Sequence, residues 1–301
     1  MKIVYLIQGR DDPEQAIQLA NALSIDDYVV LTLNDNKWID EAYYLFNRHR
    51  NIHLSTSTAF ATVGDLSASR TWLYQLKEAC EKFKFDYAIN LTEHVMPTKT
   101  RDEIVEILKQ FDGESVFSIQ RNSNDDETLK NQISKYFLGT NAKQFALRES
   151  YRKRMQSYAN ILYSLGIRRK IDFTVYEGEP WFALNYNMAL AFGNELKFAS
   201  EHFILSWFSE RFVIQTMWKL FVPHQTFVND YLVASNPQEV EMKPFKTIKQ
   251  HVERKDIASM LKHYNPIYEP PYDYIAEEIV EVRKSMLDSV IDYIKNLLKK
   301  K

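Results

Sequence analysis

One pattern limits what this chain can fold into more than any other: a short apolar run, a polar loop and an amphipathic helix, repeated up to Ile119. The run Met1-Lys2-Ile3-Val4-Tyr5-Leu6-Ile7 reads as a fully buried strand. Pro13 onward, with Ile17, Ala20 and Leu23 at helical spacing, reads as a helix with Asp12 as its N-cap. Tyr28–Leu33 is a second β-rich run that ends in the polar loop Asn34-Asp35-Asn36. A helix over Ser67–Phe83, a strand over Tyr87–Leu91, a helix over Thr100–Phe111 and a strand over Ser115–Ile119 continue the alternation. Such an order predicts a mostly parallel sheet covered by helices, with ligands gathered beyond the carboxyl ends of its strands. Three loops are thereby nominated: Gln8–Pro13, Asn34–Lys37 and Thr92–Lys99.

Farther along, Arg121–Glu127 reads as a polar surface loop. Arg148–Lys170 carries Arg148, Arg152, Lys153, Arg154, Arg168, Arg169 and Lys170 at helical spacing, either as a solvated face or as an anion patch. Trp181–Leu184 reads as a buried strand. Ser209-Glu210 precedes an apolar run with helical spacing from Phe212 to Phe221, which puts Glu210 in the first turn of that helix. Residues 1–265 form the expected body. Pro266, Pro270 and Pro271 set off a C-terminal amphipathic helix, residues 266–301, whose apolar stripe runs from Ile275 to Leu298. That helix either packs on the body, pairs with a second copy as a homodimer, or makes peripheral contact with an anionic membrane.

Composition removes several function classes. The 301 residues are 45% hydrophobic, enough to bury a core. Lys and Arg number 38 against 40 Asp and Glu, so no net field attracts nucleic acid. Glycine is scarce, at 7 residues, and neither G-x-x-x-x-G-K-[ST] nor G-x-G-x-x-G occurs. The single cysteine, Cys80, excludes an intrachain disulfide and a Cys/His zinc site and points to a reducing, cytoplasmic setting. The first apolar run is too short for a signal peptide or a membrane span.

The block Ile89-Asn90-Leu91-Thr92-Glu93-His94-Val95-Met96-Pro97-Thr98-Lys99-Thr100 resembles the "INL-C-G-x-D-[FY]-P-[IL]-K-[ST]" block of the core-2/I-branching β-1,6-N-acetylglucosaminyltransferases, glycosyltransferase family 14. Other blocks are similar and follow in the same order. Tyr5–Pro13 resembles the family's first strand and "H-x-D-P" loop, and Gly64-Asp65-Leu66-Ser67 its "W-G-G-x-S" turn. Gly178-Glu179-Pro180-Trp181-Phe182-Ala183-Leu184 resembles its "G-S-x-W-[FW]-x-L" strand, and Ser209-Glu210-Arg211-Phe212 its "[SP]-x-D-E" helix start. The chain departs from the family at Val95, where Asp is usual, and at Val233, where Arg is expected.

This resemblance, spanning about residues 1–235, implies a glycosyltransferase-A-like fold: an α/β/α sandwich around a mostly parallel sheet. It also implies an inverting, metal-independent enzyme that moves GlcNAc or a similar sugar from a UDP-sugar to a carbohydrate or glycoconjugate acceptor. Glu210 matches the family's general base, and as a first-turn carboxylate it would be held ionised by the helix dipole. Gln8, Arg10, Asn34 and Asp35 lie on the loops expected to hold the nucleotide-sugar, with Glu93 and His94 supplying the third loop's contacts. Glu179 and Trp181 are the expected acceptor contacts, Trp181 through its ring face. No D-x-D triplet occurs, so no divalent metal is expected. The diphosphate then requires basic side chains, for which Lys243, Lys246, Lys249, Arg254 and Lys255 are candidates. The alternative is a non-catalytic carbohydrate- or nucleotide-binding descendant of the same fold.

Overall fold

The computed structural model describes residues 1–55, 61–140, 149–234, 236–248 and 254–269. At its centre lies β1 (Ile3–Gly9), every residue of which is buried. Period-two alternation sends Ile3, Tyr5 and Ile7 into one apolar core and Val4 and Leu6 into another, so both faces of the sheet must be covered. β1 pairs in parallel with β2 (Tyr28–Leu33) and with β4 (Tyr87–Thr92), and β2 pairs in parallel with β3 (Ile52–Leu54). Beyond β4 comes β9 (Phe182–Asn185), antiparallel both to β4 and to β6 (Ser115–Phe117), and β6 pairs in parallel with β10 (Phe227–Asn229). The result is a seven-stranded, mostly parallel sheet of order β10-β6-β9-β4-β1-β2-β3.

The first core lies under α1 (Pro13–Leu23), α2 (Asn36–Phe46), α4 (Arg101–Lys109) and the helix Arg254–Tyr264. The second lies under α3 (Leu66–Lys82), α5 (Glu127–Ile133) and the helices Tyr186–Gly193, Leu196–Phe203 and Val213–Phe221. Helices on both faces make the chain an α/β protein of layered type. Their starts are fixed by short polar side chains. Asp12, Asp35, Asp65, Asp126 and Asn185 each accept a backbone N–H of the following turn, and Thr100 with Glu103 forms a capping box. α3 and the helix Tyr186–Gly193 approach so closely at Gly193 that a Cβ there would stand 2.7 Å from the Lys77 nitrogen.

A small second sheet, of order β11-β12-β5, joins β11 (Val233–Ala234), β12 (Phe245–Thr247) and β5 (Val95–Pro97). The expected loop Asn34–Lys37 includes the start of α2, and the expected loop Arg121–Glu127 contains the two-residue strand β7 (Arg121–Asn122). The basic segment is helical over Glu149–Ser164, where Lys153 and Arg154 face solvent and Lys153 pairs with Glu149. Arg169 instead turns inward and donates to Ser206 Oγ and to the Ile204 carbonyl. Tyr268, three residues past the expected end of the body, is buried in the first core. The remainder of the expected C-terminal helix, residues 270–301, lies outside the described residues. Among the described residues, no helix is long and apolar enough to cross a membrane.

Candidate functional site at the carboxyl edge of the sheet

β1 lies between β2 and β4, and the loops leaving the carboxyl ends of β1 and β4 meet there, the position at which open α/β sheets bind ligands. The two loops are joined by Glu93. Only 1% of it is exposed, and its Oε1 accepts the backbone N–H groups of Arg10 at 3.1 Å and Asp11 at 2.8 Å. Gln15, in α1, donates to the Glu93 carbonyl. His94 Nε2 stands 3.7 Å from Glu93 Oε1. One potential ligand atom from each of Asp11, Glu93 and His94 lies within 4.8 Å of the others, so these three residues could hold a cation. Glu93 is already committed at Oε1 to shaping the loop, which leaves Oε2 as its unbonded oxygen among the described residues.

The cation at this edge belongs to Arg10. Gln8 is fully buried at the end of β1. Its Nε2 is anchored to the Ala68 carbonyl at 2.9 Å, and its Oε1 accepts from Arg10 Nε at 3.0 Å and Arg10 NH2 at 2.6 Å. The guanidinium also lies over the Trp72 ring, 5.6 Å from its centroid. Burial pulls the Arg10 pKa down, and the carboxylates of Glu210 and Glu93 oppose that pull.

Glu210 occupies a short 3₁₀ turn, Ser209–Arg211, and the α-helix begins only at Val213. It therefore does not stand in the first turn of an α-helix, and dipole stabilisation is not what sets its ionisation. The side chain is 8% exposed, and burial pushes its carboxyl pKa up, with Arg10 as the main opposing influence. Two bonds lock the turn to the loop before α3: the Phe208 N–H donates to the Gly64 carbonyl at 2.8 Å, and the Gly64 N–H donates to Glu210 Oε1 at 2.8 Å. Gly64 has φ 81°, a conformation that favours glycine, while Phe208 holds φ 57° without that freedom. Ser209 is sequestered between Ser69 Oγ at 3.0 Å and the Asp65 carbonyl at 3.2 Å. Among the described residues, Glu210 Oε2 has no hydrogen-bond partner.

A third segment enters where β9 begins. Antiparallel pairing brings its start beside the carboxyl end of β4, and Asn90 clamps it by donating to the Pro180 carbonyl and accepting from the Phe182 N–H. The Gly178 N–H donates to the Arg211 carbonyl and the Arg211 side-chain Nε donates to the Gly178 carbonyl, and the Arg211 guanidinium reaches Glu177 at 3.4 Å and Glu179 at 3.6 Å.

The fold thus gathers Gln8, Arg10, Glu93, His94 and Glu210, and sets Glu179 beside the residue that follows Glu210. It does not gather the others. Asn34 spends both ends of its amide on Ala61, donating at 2.8 Å and accepting at 3.0 Å, and one Asp35 oxygen caps α2. Trp181 is half-buried and packs against the first core. Lys243 pairs with Asp230. Lys246, on β12, is better placed: β12 pairs with β5, and the Ile248 N–H donates to the His94 carbonyl at 2.8 Å. Lys249 and the side chains of Arg254 and Lys255 lie outside the described residues. Asp11, Gly64 and Arg211 were not singled out from sequence. Asp11 sits inside a nominated loop and Arg211 next to the proposed base, whereas nothing local marks Gly64 as a partner of Glu210.

No protein-family model matches the chain, and no curated protein matches it.

Proposed function

We propose that the chain is an inverting glycosyltransferase of the glycosyltransferase-A type. It moves GlcNAc or a similar sugar from UDP to a hydroxyl of a carbohydrate or glycoconjugate, with Glu210 as the general base. The observation that carries this reading is the Glu210 carboxylate: buried, raised in pKa, held at one oxygen by Gly64, with the other oxygen unbonded among the described residues beside Arg10. Burial increases proton affinity, which suits a group that must take a proton from an alcohol. In the transfer, the acceptor O–H gives its proton to Oε2 while its oxygen forms the new bond to the anomeric carbon. The bond from that carbon to the UDP oxygen breaks on the opposite face, and UDP leaves with the electron pair. Arg10, aimed by Gln8, offsets the charge that develops on the diphosphate, with Lys246 as a second cation along the His94 loop.

Titration calorimetry with UDP and a panel of UDP-sugars tests the reading directly. UDP binding in the micromolar range, with slow donor hydrolysis or transfer that disappears in Glu210→Gln, is the expected result. A wild-type chain that binds neither UDP nor any UDP-sugar would overturn it.

A further inference from the structure

One surface that is both basic and apolar takes no part in the chemistry proposed above. Between Ser150 and Ile171 the sequence holds Arg152, Lys153, Arg154, Arg168, Arg169 and Lys170 and neither Asp nor Glu, in a chain whose formal charge is −2. The helix Glu149–Ser164 turns Met155 and Ala159 inward. Arg154, Tyr158, Ile161 and Leu165 recur at helical spacing and share one outer face. Tyr158 is 49% exposed, Ile161 54% and Leu165 71%, and Ile167 just beyond them is 50% exposed. Lys153, Arg154, Arg168 and Lys170, which precede and follow these residues in the chain, are exposed as well. We infer that this face docks the protein on an anionic membrane surface, with Tyr158, Ile161, Leu165 and Ile167 entering the headgroup layer and the four cations set against lipid phosphates. The inference is independent of the reading of Glu210 as the base.

Three observations lead there. The apolar side chains are presented by a fixed backbone. Gly166 has φ 83°, its N–H donates to the Tyr163 carbonyl at 3.1 Å and the Ile167 N–H donates to the Leu162 carbonyl at 3.0 Å, the paired bonds of a Schellman turn. Beyond the turn, the Arg169 N–H donates to the Ser134 carbonyl at 2.8 Å and its buried guanidinium to Ser206 Oγ and the Ile204 carbonyl, which ties the segment down on its far side. A Cβ on Gly166 would meet nothing within 4 Å, so the turn projects from the body and does not line a groove. The cations, second, are available. Lys153 meets Glu149 only in a solvent-exposed pair, and among the described residues Arg154, Arg168 and Lys170 pair with no carboxylate. Arg168 instead lies over the Tyr163 ring, 4.2 Å from its centroid. Complementarity, third, selects the occupant. A nucleic acid would use the cations and gain nothing from Ile161 and Leu165, whereas a neutral apolar partner would use the reverse set. An anionic lipid surface takes both at once, phosphate against Lys and Arg and the acyl boundary against the aliphatic side chains.

Flotation of the full chain with vesicles tests this, using phosphatidylcholine alone and phosphatidylcholine mixed equally with phosphatidylglycerol. The chain should float with the mixed vesicles only, and rising salt should release it. Arg154→Gln combined with Arg168→Gln should weaken binding by about 25-fold, the worth of two charges near an anionic leaflet. Ile161→Ser combined with Leu165→Ser should weaken it by about tenfold or more through lost insertion. All four positions are exposed, so thermal melts should be unchanged in both double variants, which shows that the fold is intact. Absence of flotation with the mixed vesicles, or equal flotation with both compositions, would overturn the inference. Flotation indifferent to both double variants would overturn it by assigning the membrane contact to another surface. A lipid-free dimer in sedimentation velocity that Ile161→Ser combined with Leu165→Ser separates would overturn it in favour of a second copy of the chain.

Discussion

The backbone N–H of Gly64 donates to the carboxylate of Glu210 across 146 residues of chain, at 2.8 Å. The bond fixes one carboxylate oxygen, which leaves the other as the one that would receive a proton in the proposed transfer. Glu210→Gln keeps this shape and removes the base. Turnover should fall by about 10²–10⁴-fold while UDP affinity stays within a few-fold of wild type. Near-normal turnover at saturating substrates would take the role away from Glu210.

The same substitution has a stability signature. Because burial raises the folded-state pKa of Glu210, the folded chain binds its proton more tightly than the unfolded chain does. The carboxyl's favourable contribution is complete below the unfolded value and is lost as pH rises through the folded one. At neutral pH, then, Glu210→Gln should melt higher than wild type, and the gap should close on acidification. A variant that melts lower at neutral pH would mean that the Arg10 charge outweighs burial.

Arg10 is the cation that holds the Glu210 pKa down against burial. Arg10→Gln should move the acidic limb of the kcat/KM profile to higher pH and weaken UDP binding by about 10–100-fold, the worth of a charge-assisted contact. An unmoved limb with weakened UDP would confine Arg10 to donor binding.

Activity should survive excess EDTA, since Glu93 spends Oε1 on the amides of Arg10 and Asp11 and Arg10 supplies the positive charge. A strict need for a divalent ion, abolished further by His94→Ala, would instead assign the ion to Asp11, Glu93 and His94.

Gly178 has no room for a side chain, because a Cβ there would fall 1.9 Å from the Ser118 carbonyl oxygen. Gly178→Ala should cost about 3 kcal/mol, the upper end for forced overpacking, and should displace both Glu179 and Arg211. Thermal melts check the first consequence, and a crystal structure of the variant checks the second.

The strands β1, β2 and β4 and the helices α1 and α4 were legible because Tyr5, Val29 and Ile89 sit in short apolar runs and Ile17 and Ile104 recur at helical spacing. The loops were legible only as places. Asn34 and Asp35 have the side chains that a nucleotide contact requires, yet the same oxygens cap helices and tie turns, and here the backbone claimed them. Glu210 was identifiable from its neighbours in sequence, but its environment was not. Whether burial or a helix dipole sets its ionisation depends on Gly64 and Arg10, which come from segments far away in the chain. A cavity lined by Arg121, Glu177 and Trp207 draws them from three separate segments, and no local pattern announces that meeting.

The antiparallel β9, wedged between β4 and β6, also sets an order of events during folding. β6 has no sheet partner among the elements that precede it, and its neighbours β9 and β10 both follow it in the chain. As the chain emerges from a ribosome, β1 through β4 can pair while β6 waits, leaving the outer edge of β4 open to foreign strands. Arrival of β9 closes that edge and in the same step brings in the turn that carries Glu210. Slow docking of this one strand would therefore appear as aggregation and as delayed gain of activity together.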